Sequence, residues 1–98
     1  MLYAYNITPE AVAHIVDFYA HVLLKYQHTF SLDDMERNVH RTIYDCRKIE
    51  VSLLRRQPTI ARWQGYHMAH AGHWYYAYTI DGDTITIQDA CHEQNMHE

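Results

Sequence analysis

The sequence predicts an α+β fold in which an N-terminal strand and a helix hairpin pack on a small, mainly antiparallel β-sheet. In the first half, after an alternating segment at residues 2–6, apolar residues recur at the spacing of one helix face. After Pro58 the period falls to two, and Asp81 and Gly82 separate two alternating segments, as the turn of a β-hairpin does. The 98 residues include no linker or repeat, so one domain over residues 1–98 is expected.

Two amphipathic helices are predicted for the first half. The first is expected to begin at Pro9, with Thr8 as its N-cap, and to run to about Tyr26. The second follows the capping-box sequence SLDD at residues 31–34 and is expected to end near Arg56. The predicted core positions are Val12, Ile15, Val16, Tyr19, Leu23 and Tyr26 on the first helix, and Leu32, Met35, Val39, Ile43, Cys46, Ile49 and Leu53 on the second.

The second half is predicted to be a three-stranded meander, with residues 62–69 as its first strand. A two-residue turn at Asp81 and Gly82 pairs Ile80 with Asp83. Side chains alternate between the two faces of a strand, which assigns each residue to one side of the sheet. The predicted core face holds Trp74, Tyr76, Tyr78, Ile85 and Ile87, and the predicted open face holds His73, Tyr75, Ala77, Thr79, Thr84, Thr86, Gln88 and Ala90. The helices are expected to cover the core face only.

Composition and charge exclude several classes of protein. The formal net charge is −4 with the nine histidines neutral, so the domain as a whole is not a basic nucleic-acid binder. No apolar run approaches the roughly 20 residues that span a bilayer, so no membrane contact is expected. Cys46 and Cys91 lack the spacing of a disulfide or metal motif, which indicates reduced thiols and a cytoplasmic location.

The order of the elements and four segments resemble the RelE/ParE superfamily of toxins from type II toxin–antitoxin modules. The segments are ITPEA, QPTIARWQGY, HWYYAYTIDGDTITI and the strand-end ACHEQN, and the resemblance covers nearly the whole chain. It implies a sheet packed on a helix hairpin and a cognate antitoxin, acidic and partly disordered, that wraps the toxin. It also implies one of two activities: ribosome-dependent mRNA cleavage, as in RelE-like members, or inhibition of DNA gyrase, as in ParE-like members.

One departure from the family concerns the open sheet face. RelE-like ribonucleases usually carry Lys and Arg there, whereas the predicted meander has one basic residue, Arg62, beside four histidines. Some ribosome-dependent relatives use histidine, tyrosine and acidic residues instead. We therefore expect a metal-independent endoribonuclease, with the ribosome and mRNA as partners. The alternatives are a gyrase inhibitor and a non-catalytic partner-binding module derived from this fold.

The predicted open face has the residue types that RNA cleavage requires. Attack by a 2′-OH group needs a base, an acid for the leaving oxygen and donors for the phosphate, and histidine serves in each role near neutral pH. An aromatic side chain on the same face can stack an unpaired base. The expected catalytic residues are His73, Tyr75, His92, His67 and Gln88, and the expected phosphate-binding residues are Arg62, Arg55 and Arg56. No cofactor is required, and the alternative is a polar face that only meets solvent.

Other histidines and a basic helix face offer further interpretations. His70, His73, Cys91 and His92 together have the ligand types of a zinc site. His14, His21 and His28 recur every seven residues, opposite the predicted apolar stripe, and are expected to face solvent. The second helix has a basic face formed by Arg37, Arg41, Tyr44 and Lys48. That face is predicted to bind an acidic antitoxin or a phosphate backbone, or else is a solvated helix surface.

Overall fold

Two helices and a four-stranded mixed sheet form the fold in a computed structural model, which describes residues 3–47, 58 and 60–95. The elements are β1 (Ala4–Ile7), α1 (Pro9–Lys25), α2 (Leu32–Asp45), a 3₁₀ turn (Ala61–Trp63), β2 (His67–Ala71), β3 (Trp74–Asp81), β4 (Thr84–His92) and a second 3₁₀ turn (Glu93–Asn95). The predicted α+β class is confirmed. No helix in the described part of the chain is long and apolar enough to cross a membrane.

Both helices begin with the side-chain caps that the sequence predicts. The Thr8 hydroxyl accepts a hydrogen bond from the Ala11 amide, and α1 starts at Pro9. Ser31 and Asp34 form a reciprocal capping box, in which each side chain accepts from the other residue's amide. The predicted C-terminal part of α2, with Lys48, Ile49, Leu53, Arg55 and Arg56, lies outside the described residues.

The sheet has the strand order β1-β4-β3-β2, with β1 parallel to β4 and the other pairs antiparallel. The predicted core face is confirmed, because Trp74, Tyr76, Tyr78, Ile85 and Ile87 are all buried and pack with Ala11 and Ile15 of α1. Not every predicted helix position is buried: Leu32 is 59% exposed and Tyr26 is 50% exposed. The prediction also missed Ala11 and Phe18, which pack in the core.

The hairpin turn lies one residue later than predicted. Asp81 pairs with Thr84 and Ile80 pairs with Ile85, so Gly82 and Asp83 form the turn, and Gly82 has a φ of 62° that favours glycine. The predicted pairing of Ile80 with Asp83 is therefore wrong. Because the register changes by two residues, every side chain near the turn keeps its predicted face.

A β-bulge in β4 changes the faces beyond it. Tyr78 pairs with Ile87 but Ala77 pairs with Asp89, so Gln88 is one extra residue on β4. One extra residue exchanges the two faces for the rest of the strand. Ala90 was predicted on the open face, yet it pairs with Tyr76 and is buried in the main core.

Candidate functional site

The predicted catalytic surface is not assembled, and the bulge is the first reason. His92 pairs with Trp74, so it lies on the helix side of the sheet and not with Tyr75. Its ring stacks on Phe18 of α1, with ring centroids 4.2 Å apart and an interplanar angle of 8°. The placement of His92 on the open face was therefore wrong.

A second reason is that a chain segment covers part of the predicted open face. Ile60 and Trp63 pack there on Met68, Ala77 and Cys91 in a second apolar cluster, against which Tyr66 and Tyr75 are partly buried. Trp63 is only 1% exposed. Residues 62–69 were predicted to be a strand, but their first part is a 3₁₀ turn. Ile60, Trp63 and Tyr66 recur every three residues, which is the period of a 3₁₀ turn and the signal that could have revealed this cover.

His67 also lies on the opposite face from the one predicted. His67 pairs with Tyr78, on the helix side, whereas His70 pairs with Tyr75, and their rings lie 4.5 Å apart. Gln88 remains on the side of Thr79, whose hydroxyl accepts a hydrogen bond from Gln88 Nε2 at 3.2 Å. Of the five expected catalytic residues, His67 and His92 therefore lie on the helix side of the sheet.

At the end of the sheet, Glu93 joins two histidines. The Glu93 carboxylate contacts His73 Nδ1 at 2.8 Å and His70 Nε2 at 3.4 Å. The hydrogen bond from His73 is the main cause that lowers the pKa of Glu93, and the hydrogen bond from His70 adds to it. His92 is close by, with its ring 6.3 Å from the ring of His73. Burial lowers the pKa of His92, which favours the neutral ring.

We expect the Glu93 carboxyl to titrate below its ordinary pKa of 4.5 and to return toward that value in His73→Ala. A depressed folded-state pKa means that this contact stabilises the protein above the ordinary carboxyl pKa. The stabilisation is lost as the pH falls through the lowered value. Carbonyl NMR titration measures the change, with His28→Ala as a control outside the group. An unchanged Glu93 titration in His73→Ala would contradict the assigned contact.

A groove of about 910 Å³ lies between α1 and the C-terminal part of β4. Its α1 wall contains His14, Asp17, Phe18, His21, Val22, Lys25 and Tyr26, and the other wall contains Arg62, Trp74, Asp89, Ala90, Cys91, His92, Gln94 and Asn95. The groove exists because β1 pairs with β4 only from Thr84 to Ile87, so α1 faces the remaining part of β4 directly. His14 and His21 are exposed, as the sequence predicted, and both also line this open groove.

The prediction missed Asp89, which is the polar centre of the groove. Its carboxylate lies 2.5 Å from His14 Nδ1, accepts from Trp63 Nε1 at 2.8 Å, and also accepts from the Ala90 amide. Arg62 Nε is 4.0 Å away. A lone acidic residue in the apolar strand sequence TITIQDACH was a signal for such a site, because carboxylates are rarely buried without partners.

The four residues of the alternative zinc site do not come together in the structure. Cys91 pairs with Tyr75 and is buried in the second apolar cluster, on the opposite side from His92. Burial raises the pKa of the Cys91 thiol, which opposes formation of the thiolate that binds metal. Within the described ranges, no group of three or more His, Cys, Asp or Glu side chains is placed to hold a metal ion.

The basic face of α2 is exposed where it is described. Arg37 pairs with Asp34, Arg41 donates to the Asn38 side chain at 3.5 Å, and Tyr44 is 62% exposed. The guanidinium of Arg47 lies over the Tyr44 ring, 5.4 Å from its centroid. These side chains are accessible to a partner, and the role of this face stays a prediction.

Comparison with solved structures finds the same architecture in a chain described as "Chromosomal ParDE TA system from P. aeruginosa". The match has a TM-score of 0.59 and covers 93% of this chain and 96% of that chain, at 13% sequence identity. The two proteins share a fold. The predicted RelE/ParE-like architecture is thereby confirmed. No protein-family model and no curated protein matches the sequence.

Besides the basic face of α2, the fold presents two other polar surfaces. One is the exposed group of His70, His73 and Glu93 at the end of the sheet. The other is the groove along α1, with the His14–Asp89 pair inside it. His92 lies at the boundary of the two surfaces, because it lines the groove and its ring stacks near that of His73.

Proposed function

We propose that this protein is the toxin of a type II toxin–antitoxin pair and that it acts in the ParE-like manner, by binding and inhibiting DNA gyrase. The observation that carries the proposal is the fold shared with the ParDE protein over 93% of this chain. The exposed basic face of α2 supports an antitoxin partner, because Arg37 and Arg41 complement an acidic, partly disordered segment.

Packing on the sheet favours this mode over mRNA cleavage, which the sequence favoured. A ribonuclease surface needs an open face with a base, an acid and phosphate donors close together. Here Trp63 and its neighbours cover part of that face, and the bulge at Gln88 moves His92 to the helix side. Tyr75 is only partly exposed.

Metal-independent mRNA cleavage is the second candidate, and one observation favours it. An exposed hydrogen-bonded group is formed by His70, His73 and Glu93. His92 lies beside it, and its lowered pKa favours the neutral ring. A carboxylate that orients one histidine beside a second is a suitable acid–base pair for attack by a 2′-OH group. This candidate requires His73 and His92, whereas gyrase inhibition by binding does not.

Induced expression in a bacterial host tests the two candidates. We expect growth arrest in which loss of plasmid supercoiling and DNA breaks precede any fall in methionine incorporation. Co-expression of the cognate antitoxin is expected to restore growth. The double variant His73→Ala/His92→Ala, if folded by circular dichroism, should remain toxic, as should the control His28→Ala/His40→Ala.

Two outcomes would change the proposal. A fall in translation before any change in supercoiling, together with a harmless His73→Ala/His92→Ala variant, would support the ribonuclease. Loss of one acid–base group typically lowers a rate by about 10²–10⁴-fold, which is enough to remove toxicity. No effect on growth from the folded wild-type protein would favour a non-catalytic partner-binding module.

A further inference from the structure

The side of β4 that faces α1 is not paired along its whole length. β1 pairs with β4 only from Thr84 to Ile87, and the part of β4 beyond that pairing lines the groove. We propose that the groove binds an extended segment of a partner protein, which adds a short strand parallel to β4 and bonds to the Ala90 carbonyl and the His92 amide. Strand addition at a sheet edge is a recurrent mode of peptide recognition. The proposal goes beyond toxin action and does not depend on which activity the protein has.

The pairing of β3 with β4 fixes the direction of the backbone groups at this edge. In antiparallel strands, pairs that exchange hydrogen bonds alternate with pairs whose N–H and C=O groups point away from each other. The Glu93 amide donates to the His73 carbonyl at 2.9 Å, so these two residues are a bonded pair. The next pair, Trp74 and His92, is therefore non-bonded, and so is the pair that contains Ala90. The N–H and C=O groups of Ala90 and His92 point away from β3, and both residues line the groove.

Two of these four outward groups already have partners. The Ala90 amide donates to the Asp89 carboxylate at 2.8 Å, and the Cys91 thiol donates to the His92 carbonyl at 3.6 Å. Among the described residues, neither the Ala90 carbonyl nor the His92 amide has a hydrogen-bond partner. Ala90 is buried and His92 is half-buried, and such backbone groups are nearly always paired in folded proteins. This acceptor and this donor therefore form an open pairing position.

The two open groups have the spacing that one residue of a parallel strand needs. In a parallel ladder, a residue donates its N–H to the C=O before the opposite residue and accepts from the N–H after it. A residue opposite Cys91 meets the Ala90 carbonyl and the His92 amide in this way. An antiparallel residue opposite Ala90 would instead use the Ala90 amide, which is bonded to Asp89. The donor and acceptor at this edge are thus complementary in partial charge to the backbone of a parallel strand.

The groove also offers apolar contacts to the side chains of the added strand. Opposite residues on neighbouring strands share a face, so the central side chain lies with Cys91 and its two neighbours point to the helix side. On that side, Phe18, Val22 and Trp74 line the groove. Val22 is half-buried and lies outside the two apolar clusters described above. A segment with an apolar residue on each side of a small central residue therefore fits the site.

Amide hydrogen exchange of the purified protein tests whether the pairing position is open. We expect the His92 amide to exchange at least about tenfold faster than the Cys91 amide, because Cys91 and Tyr75 are a bonded pair. Slow exchange at His92 in the monomer would overturn the proposal, since the chain itself would then fill the position. A dimer that forms with rising concentration and protects His92 would also overturn it, in favour of a second copy of the chain.

The peptide acetyl-Ser-Val-Thr-Val-Ser-amide is the probe for binding, which is followed by the backbone NMR signals of β4. We expect the peptide to slow exchange of the His92 amide. An analogue that is N-methylated at the central threonine cannot donate to the Ala90 carbonyl. It should bind about three- to tenfold more weakly, the factor that one lost hydrogen bond gives. Equal binding of the two peptides, or no binding of either, would overturn the proposal.

Val22→Asp and Leu24→Asp are matched variants of α1. Val22 lines the groove, whereas Leu24 does not and is 68% exposed. We expect Val22→Asp to weaken binding of the unmethylated peptide at least about tenfold, because it places a charge against the apolar side chains of the strand. Leu24→Asp should leave binding unchanged, and both variants should keep the circular dichroism spectrum of the wild type. Equal effects of the two variants would contradict the placement of the peptide in the groove.

Discussion

Tyr76→Ala is expected to lower the free energy of unfolding by about 3–5 kcal/mol, because it truncates a large ring in the middle of the core. Tyr76 is 0% exposed and pairs with Ala69 and Ala90 on the neighbouring strands. Its hydroxyl also donates a hydrogen bond to the Thr42 carbonyl of α2 at 2.6 Å. Total stability of a domain this size is only about 5–15 kcal/mol, so a large part of it is lost.

Two matched variants separate the causes of this effect. Tyr76→Phe keeps the ring and removes the hydroxyl, so it should cost only about 0.5–1.5 kcal/mol, the net value of one hydrogen bond. Tyr44→Ala truncates a tyrosine that is 62% exposed, and it should change stability by less than about 0.5 kcal/mol. Urea unfolding measures all three. A Tyr76→Ala effect as small as that of Tyr44→Ala would refute the placement of this face against the helices.

The core face around Tyr76 was predictable because it depends on local periodicity. Strand side chains alternate with a period of two, and Trp74, Tyr76 and Tyr78 satisfy that period without interruption. The error in placing the turn at Asp81 and Gly82 did not affect this prediction. An error of two residues in pairing preserves the face of every side chain.

The site was less predictable, because it depends on features with no local pattern. A bulge at Gln88 adds one residue and leaves the hydrophobic spacing of TITI unchanged, yet it moves His92 across the sheet. Trp63, which covers part of the open face, bonds to Asp89, 26 positions later in the chain. Asp89 in turn pairs with His14, 75 positions earlier. Such contacts follow from tertiary packing, so the periodicity of one segment does not contain them.

Asp89→Ala is expected to lower the free energy of unfolding by about 2–4 kcal/mol, because it removes the acceptor of a buried donor and three other contacts. The Asp89 side chain is only 16% exposed, and it connects β4 to α1 through His14 and to the covering segment through Trp63. Trp63 is only 1% exposed. Removal of the carboxylate therefore leaves its buried indole N–H without the Asp89 acceptor.

A double-mutant cycle with Trp63→Phe assigns this cost to the buried hydrogen bond. If the indole N–H is the main contributor, Asp89→Ala should cost less in the Trp63→Phe background, with a coupling of about 1 kcal/mol or more. His14→Ala is the matched control for the other partner, and its cost should be smaller because the His14 side chain is 56% exposed. Additive effects of Asp89→Ala and Trp63→Phe in urea unfolding would show that Asp89 does not hold the covering segment on the sheet.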